Sequence, residues 1–292
     1  MAATVDVERP VDVGELDLRP CEHQAGGHFA SEQGKAAATF VDSSGKFYKA
    51  FQDDVRGGRE AAVYELIFGD ADDSVKKEDM EQLRRFVPKY FGTLVSDSKK
   101  LLALEDTCKA YTKPCVLDCK MGMTTIYDWA DDKYKTKNAG KDTATTQASL
   151  GWRVTGFKVW QQGSGEYFFA DRHYGKKLTD DTMAAALATF ANNGAIGPAA
   201  VYGGPNGAVA QIRALQSWFE SQRSLVFFAA SVLVIYEGAA TRPEDANVAI
   251  SFIDFAHTFP SKGQPDANVT PAVKNLADLM EKVAAGKAGQ AS

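Results

Sequence analysis

The sequence predicts an α+β protein in two lobes, and three features of the chain carry that expectation. Up to Asp106, short strand patterns pair around polar turns, the mark of an antiparallel sheet. Beyond it, stretches with helical periodicity alternate with apolar strands too uniform to face water. At 292 residues with no internal repeat, the chain is long enough to give two lobes ample core. The expected division is a loose leader over 1–20, a small lobe over 21–106, a larger α+β lobe over 107–286 and a tail over 287–292.

In the small lobe, Lys35–Val41 and Lys46–Gln52 read as strands joined by the turn Asp42-Ser43-Ser44-Gly45. A helix is expected from Gly58 to about Phe68, with Glu60 in its first turn. A second, from about Ser74 to Phe86, places Met80, Leu83 and Phe86 on one stripe. Phe91–Val95 and Lys100–Leu104 form another strand pair. In the large lobe Val116–Lys120 is a short strand, and Trp152–Trp160 with Glu166–Ala170 makes a hairpin. Helices starting near Thr179 and Asn206 present Met183, Leu187 and Phe190, then Ile212, Leu215 and Phe219, to a core. Leu225–Glu237 and Val248–Phe255 read as buried strands, and Pro271–Ala285 as the last helix.

Bulk properties exclude several classes of function. Hydrophobic content of 45% and charged content of 24% are those of an ordinary globular protein. The net charge of −5 supplies no overall field for nucleic acid or an acidic membrane surface, so a polyanion site has to be built locally. The opening Met1–Glu15 lacks the apolar core of a secretory signal. The longest apolar run, Leu225–Tyr236, is 12 residues, short of the roughly 20 that span a bilayer. A soluble, intracellular chain is expected. Cys21, Cys108, Cys115 and Cys119 are too few for a disulfide framework and match no zinc spacing, so reduced, buried thiols are expected.

Four groups of residues carry chemistry. Strand periodicity puts Lys49 on the same face as Phe47 and Phe51, where an ammonium needs a negative partner. A nucleotide phosphate is one candidate and Glu60 on the next helix another; the alternative is an edge-strand lysine in water. Asp118 and Lys120 stand at i and i+2, on one strand face and roughly 6–7 Å apart. A carboxylate that accepts a hydroxyl proton beside an ammonium that holds phosphoryl charge suits phosphoryl transfer; the alternative is a surface salt bridge. Gly122 leaves room for a bulky ligand close to the backbone. The apolar strand ending at Asp254 delivers one carboxylate, enough for Mg²⁺, which takes one or two carboxylates and completes its shell with phosphate and water. His257 follows closely, either as a ligand contact or as an ordinary loop histidine. Lys133, Lys135, Lys137 and Lys141 form a basic run. Lys133, Lys137 and Lys141 share one face if the segment is helical, and an anion between them relieves their repulsion; the alternative is a solvated face.

These residues resemble the inositol polyphosphate kinase family. Pro114-x-x-x-Asp118-x-Lys120-x-Gly122 is similar to its P-x-x-x-D-x-K-x-G signature, and Ile253-Asp254-Phe255-Ala256-His257 to its I-D-F-A-H metal motif. His23-Gln24-Ala25-Gly26-Gly27-His28 resembles the H-Q-x-x-G-H opening of the multikinase branch, and Lys141–Thr146, Gly151–Lys158 and Val201–Gly207 resemble the plant multikinases. Asp266-x-Asn268 is similar to the family's D-x-N, without the G-L that usually follows. The family's S-S-L-L is kept only in part, as Ala230-Ser231-Val232-Leu233. The likeness runs from His23 to about Val283.

The resemblance implies the family's two-lobed fold, of the protein-kinase and ATP-grasp kind, with ATP and Mg²⁺ as cofactors. It implies that Lys49 holds ATP phosphates, that Glu105, Asp106 and Thr107 form the hinge touching adenine through backbone, and that Asp254 binds both Mg²⁺ and nucleotide. Asp118 would be the catalytic carboxylate and Lys120 would touch the moving phosphoryl group and substrate. Lys137, Lys141 and His257 would grip soluble inositol phosphates. The short interval from Met123 to Gly151 implies an open site, as in the multikinases, which take inositol 1,4,5-trisphosphate to the tetrakis- and pentakisphosphate. Inositol hexakisphosphate kinase is the runner-up, followed by inositol trisphosphate 3-kinase. The resemblance also admits phosphatidylinositol bisphosphate, although no amphipathic membrane segment supports it. A monomer in cytoplasm or nucleus, without nucleic-acid binding, is expected. A rival of another class is an inositol-phosphate-binding scaffold without catalysis, disfavoured because Lys49, Asp118, Lys120 and Asp254 are all kept. A protein kinase is disfavoured by the lack of a G-x-G-x-x-G loop and an H-R-D segment.

Overall fold

The computed structural model describes residues 11–13, 16–23, 25, 39–69 and 75–287. Strands β1 (Val11–Asp12), β2 (Arg19–Pro20), β3 (Thr39–Val41), β4 (Lys46–Ala50), β5 (Tyr90–Ser96) and β6 (Lys99–Glu105) form a sheet in the order β1-β5-β6-β4-β3-β2. All its pairs are antiparallel except β1 with β5. The turn at 42–45 forms as expected: Asp42 Oδ1 accepts from the Ser44 and Lys46 N–H groups, and Gly45 takes φ +89°. The β5–β6 connection turns on Asp97 and Ser98, both at positive φ, the twist that suits a two-residue hairpin.

Helix α1 (Asp54–Phe68) packs on this sheet, and α2 (Lys77–Leu83) packs on α1. Three expectations are corrected here. The first helix starts a turn early because Asp53 caps it, accepting from Arg56 N–H, so Glu60 lies in the second turn. The second ends at Leu83, where the bonds tighten to i→i−3 (Arg85 N–H to Gln82 O, Phe86 N–H to Leu83 O) just ahead of Pro88, which has no N–H to give. The leader is not loose where it is described, since Val11–Asp12 pairs with β5 and Arg19–Pro20 with β3. Residues 1–10, 35–38, Ser74, 288–292, and Gln24, Gly26, Gly27 and His28 of the opening motif lie outside the described residues.

The second half builds a five-stranded antiparallel sheet. Its elements are β7 (Pro114–Met121), α3 (Asp132–Thr143), α4 (Gln147–Leu150), β8 (Trp152–Gln161), β9 (Glu166–Ala170), α5 (Arg172–Lys177), α6 (Asp180–Phe190), α7 (Pro198–Tyr202), α8 (Ala208–Ser221), β10 (Leu225–Phe227), β11 (Ser231–Glu237), β12 (Ala249–Ile253), β13 (Thr258–Pro260) and α9 (Thr270–Ala284). The order is β12-β11-β7-β8-β9, while β10 pairs only with β13. The single strand expected over Leu225–Glu237 is therefore two, broken where Ala229 takes φ +55°. The strand expected over Val248–Phe255 stops at Ile253, because Asp254 turns into the left-handed region at φ +70°.

One face of β7, through Cys115, Leu117, Cys119 and Met121, joins a hydrophobic cluster that runs through both lobes. It takes Tyr64 and Ile67 from α1, Met80 and Leu83 from α2, Leu102 and Leu104 from β6, and Leu276 and Met280 from α9. Phe227, Phe252 and Phe255 meet edge-on or tilted within it, at centroid separations of 5.1–5.8 Å. The other face of β7 packs Val116 against Ile235, Cys108 and Ala25 at one end and carries Asp118 and Lys120 at the other.

Gly156 on β8 stands opposite Asp118, and a Cβ there would collide with the Ala25 carbonyl oxygen. Backbone cannot give way as a flexible side chain can. We expect Gly156→Ala to cost roughly 1–3 kcal/mol, read as a lowered midpoint in urea unfolding, whereas Gly163→Ala in the open β8–β9 turn should leave the midpoint in place.

Candidate active site

The β7–β8 ladder sets the site. Asp118 pairs with Gly156 but Cys119 pairs with Val154, so Thr155 is an extra residue and β8 bulges beside Asp118. The bulge shifts the core-facing positions of β8 from Trp152 and Val154 to Phe157 and Val159. Arg153, opposite Lys120, thereby shares the face of Asp118 and Lys120. Ser231 flanks Lys120 from the other side, on β11.

Asp118 is 8% exposed, and its Oδ1 is buried without a hydrogen-bond partner. Burial raises its pKa, Lys120 opposes that, and the nearby Asp254 adds to it. Lys120 donates to the Ala229 carbonyl at 2.7 Å instead of pairing with Asp118, so the pair is not a salt bridge. Its pKa is lowered by burial, which Asp254 and Asp118 only partly offset. The Ser231 hydroxyl is also buried without a partner. Orphaned buried polar atoms are rare, and they cluster where a ligand completes the structure.

Lys49 is no edge-strand lysine: β4 lies between β6 and β3. Its ammonium donates to Glu60 at 2.8 Å and to Asp254 at 2.6 Å, joining α1 to the loop after β12. Burial works against that charge, but Asp254 and then Glu60 outweigh it and hold the pKa above the usual lysine value. The two carboxylates share the ammonium unequally. Asp254, despite burial, is held below the usual range by Lys49 and Lys120, while burial keeps Glu60 above it.

The basic residues divide. Residues 132–143 do form a helix, with Lys141 in its last turn. Lys141 is pushed down to about 8 by burial and by the charges of Arg153, Lys120 and Lys176. Arg153, Lys120 and Lys176 are thus close enough for their charges to act on Lys141. Lys135 is drawn away to the Asp128 carbonyl. Lys137 is exposed one turn before Lys141, and nothing in the structure ties it to the cluster. His257 packs against Tyr127 and Tyr134 at 5.6 and 5.3 Å, its Nδ1 buried without a partner. Its pKa falls to about 4, through burial and then the charges of Arg56, Arg59 and Lys120. At neutral pH it is an uncharged ring on the rim of a cationic space.

Glu105, Asp106 and Thr107 lie where β6 ends, between the two sheets. Glu105 N–H donates to Lys89 O at 2.9 Å and Asp106 N–H to Gly45 O at 3.0 Å, so neither amide is free for a ligand. Asp106 Oδ1 is taken by Cys108 N–H. That leaves the Thr107 amide without an acceptor among the described residues. Asp266 is structural: fully buried, it accepts from Phe227, Asn268 and Val269 N–H groups, while Asn268 bridges Thr124 and Phe227.

Sequence reasoning missed Arg153, Lys176, Arg56 and Arg59. For Arg153 a local signal existed, since it alternates with Trp152 and Val154, but the bulge that aligns it with Lys120 depends on β7.

A sequence model described as inositol polyphosphate kinase matches residues 101–281. The chain belongs to that family. Inositol polyphosphate multikinase alpha of Arabidopsis thaliana is 33% identical over 284 residues, covering 92% of this chain and 96% of the relative. A solved inositol phosphate multikinase, from a study of its structure and engineering, superposes with a TM-score of 0.66 at 30% identity, covering 77% of this chain and 99% of the other. The S. cerevisiae inositol phosphate multikinase solved with ADP and Mn²⁺ has the same fold, at a TM-score of 0.66 and 24% identity over 81% of this chain and 98% of the other. In this inositol polyphosphate kinase family member, no helix among the described residues is long and apolar enough to cross a membrane.

The donor set fits a hard divalent cation held jointly with a nucleotide. Asp254 and Asp118 supply carboxylate oxygens, and no group of three or more His, Cys, Asp or Glu able to hold a metal alone exists among the described residues.

Removing the Lys49 ammonium strands Glu60 and Asp254 against each other. We expect Lys49→Met to destabilise the fold by about 2–4 kcal/mol. The loss should be largest near pH 8 and smaller near pH 5, where one carboxylate takes a proton and the repulsion ends. Urea unfolding of both proteins at the two pH values checks this; a loss independent of pH would contradict it.

Proposed function

We propose that the protein is an ATP- and Mg²⁺-dependent inositol polyphosphate multikinase that phosphorylates inositol 1,4,5-trisphosphate to the tetrakis- and pentakisphosphate. The carrying observation is the buried Asp118, its Oδ1 without a hydrogen-bond partner, beside Lys120 on a strand face that Arg153 shares. A net-acidic chain that gathers unpaired cations around one buried carboxylate has built a local polyanion site.

In this reading the small lobe ends at Asp106, and Glu105, Asp106 and Thr107 form the hinge, with the free Thr107 amide offered to adenine. Lys49 would leave its carboxylates for nucleotide phosphate, and Asp254, with Asp118 near it, would hold Mg²⁺. The metal, when bound, neutralises charge on the transferring phosphate. Asp118 orients the attacking hydroxyl and accepts its proton late; its raised pKa helps it to do so. Lys120 leaves the Ala229 carbonyl and balances phosphoryl charge. Lys141 and Arg153 hold inositol phosphates from the α3 and β8 side. His257, uncharged, bounds the site from the other, and Lys137 adds long-range attraction from the exposed face of α3. Phosphatidylinositol bisphosphate presents the same headgroup to this site. Action as a monomer in cytoplasm or nucleus completes the proposal.

Chromatography of products from purified protein, ATP, Mg²⁺ and a panel of inositol phosphates tests it. We expect trisphosphate to be converted in two steps. Asp118→Asn should lower kcat by about 10²–10⁴ with substrate binding largely kept. An unmodified panel, or full turnover by the variant, would refute the assignment.

Lys141 yields a test with a sign. It is charged below about pH 8 and neutral above, so kcat/KM for the inositol substrate should fall as pH rises through that value. In Lys141→Arg, whose guanidinium stays charged, that fall should disappear.

A further inference from the structure

The ribbon of β10 and β13 lacks the polar outer side of an ordinary half-buried strand pair. Leu225, Phe227 and Thr258 are buried on its inner side. The outer side carries Val226 opposite Phe259, and then Phe228, all three half-buried. Pairing continues past the ribbon, since Phe228 N–H donates to His257 O at 3.0 Å. Among the described residues, this outer side is covered by Trp129 and Tyr127. Trp129 meets Phe259 edge-on at 4.9 Å and Phe228 at 6.1 Å, and Tyr127 lies 4.9 Å from Phe259. Trp129 is itself 59% exposed, so it extends the apolar face to water instead of closing it. The face is assembled from three stretches remote in sequence, and no single segment displays it as amphipathic.

Its rim is basic on the α1 and β13 sides. The Arg59 guanidinium lies over the Phe259 ring at 4.9 Å and donates to Ala256 O at 2.9 Å. Val55, 67% exposed, stands four residues before Arg59 on the same side of α1. Lys262, also exposed, follows β13 in a left-handed turn at φ +55°. Of the carboxylates nearby, Asp53 and Asp131 cap helices and Asp54 pairs with Lys100 at 2.9 Å. Asp128 and Asp132 are matched in number by Lys133 and Lys135 in the same stretch. Exposed aromatic rings bordered by arginine and lysine suit the interface of an anionic bilayer, where Trp and Tyr lie at headgroup level and cations meet lipid phosphate. The face also adjoins the site, because Tyr127 packs on His257 at 5.6 Å, three residues past Asp254.

We propose that this face, built on Trp129, Phe228 and Phe259 and rimmed by Arg59 and Lys262, is a docking surface for bilayers rich in anionic lipid. It holds the protein at the headgroup layer with the site of Asp118 and Asp254 beside that layer. The choice of a bilayer rests on the inositol phosphate reading of the site, whose substrate class also occurs as a lipid headgroup; attachment itself needs no headgroup in the site.

Co-sedimentation with vesicles of phosphatidylcholine and phosphatidylserine, free of inositol lipid, tests attachment alone. Wild type should bind them, more weakly as salt rises. Trp129→Ala should bind about tenfold more weakly, through the loss of one buried ring. Phe168→Ala, which removes a ring 41% exposed on the edge strand β9, should match wild type. Of the four tryptophans, Trp152 and Trp218 are buried and Trp160 is half-buried. Binding should therefore shift wild-type tryptophan emission to the blue, and the shift should be absent from Trp129→Ala. Turnover of soluble inositol phosphate should be the same in both. Failure of wild type to bind, equal binding by Trp129→Ala, an equal loss in Phe168→Ala, or equal binding to phosphatidylcholine alone would each overturn the proposal. So would a wild-type dimer, formed without vesicles, that Trp129→Ala abolishes, since the face would then belong to a second copy of this chain. If wild type binds vesicles but phosphorylates no inositol phosphate, the functional reading fails and the docking surface stands.

Discussion

Strand β7 has to serve two environments at once. It is the middle strand of its sheet, buried along nearly its whole length, and one face is locked into the core that joins both lobes. Its other face carries two charges in a place where unpaired charge is costly. The surroundings answer that cost without pairing the two. Lys120 is parked on a carbonyl, and Asp118 is left with an orphaned oxygen and a raised pKa. The β8 bulge that presents Arg153, the strand break at Ala229 and the left-handed turn at Asp254 all lie around this one strand.

Two of those features put non-glycine residues at positive φ, a conformation that stores about 1–3 kcal/mol when it is not relieved. Ala229 uses it to aim a carbonyl at Lys120, and Asp254 to turn its carboxylate back toward Lys49. The Lys49 ion pairs then join the small-lobe helix to the large-lobe loop, beside the aromatic packing of Tyr64 on Phe255 at 5.0 Å. The ammonium that links the lobes through these ion pairs is the one the proposed function gives to nucleotide phosphate.

Net charge and local charge have opposite signs here. The chain is acidic overall, but its acidic side chains are spent on caps and turns around the site: Asp53, Asp131 and Asp171 at helix starts, Asp142 on the 124–125 turn, Asp266 under α9. Burial lowers the pKa values of Lys141 and Lys120, and neighbouring cations lower them further, while Asp254 and Asp118 partly offset this at Lys120. Such a site is most stable when a polyanion fills it.

Much of this was legible in the residues themselves. Period-two spacing placed Asp118 with Lys120, and Lys49 on the inward face of its strand, because side-chain direction in a strand is a local property. Paired apolar runs and turn residues located most strands, and Met80, Leu83 and Phe86 are buried together as their spacing required. Local pattern could not reveal where a regular element would be interrupted: the strand that breaks at Ala229, the strand that stops at Asp254, the bulge at Thr155. Nor could it assemble the cationic space, since Arg153, Lys176, Arg56 and Arg59 come from three separate elements. It could not foresee that burial and nearby cations depress the pKa of Lys141 and hold His257 neutral. Those outcomes depend on distances between residues remote in sequence and on how deeply each is buried, and both are set only when the sheets, helices and loops pack against one another.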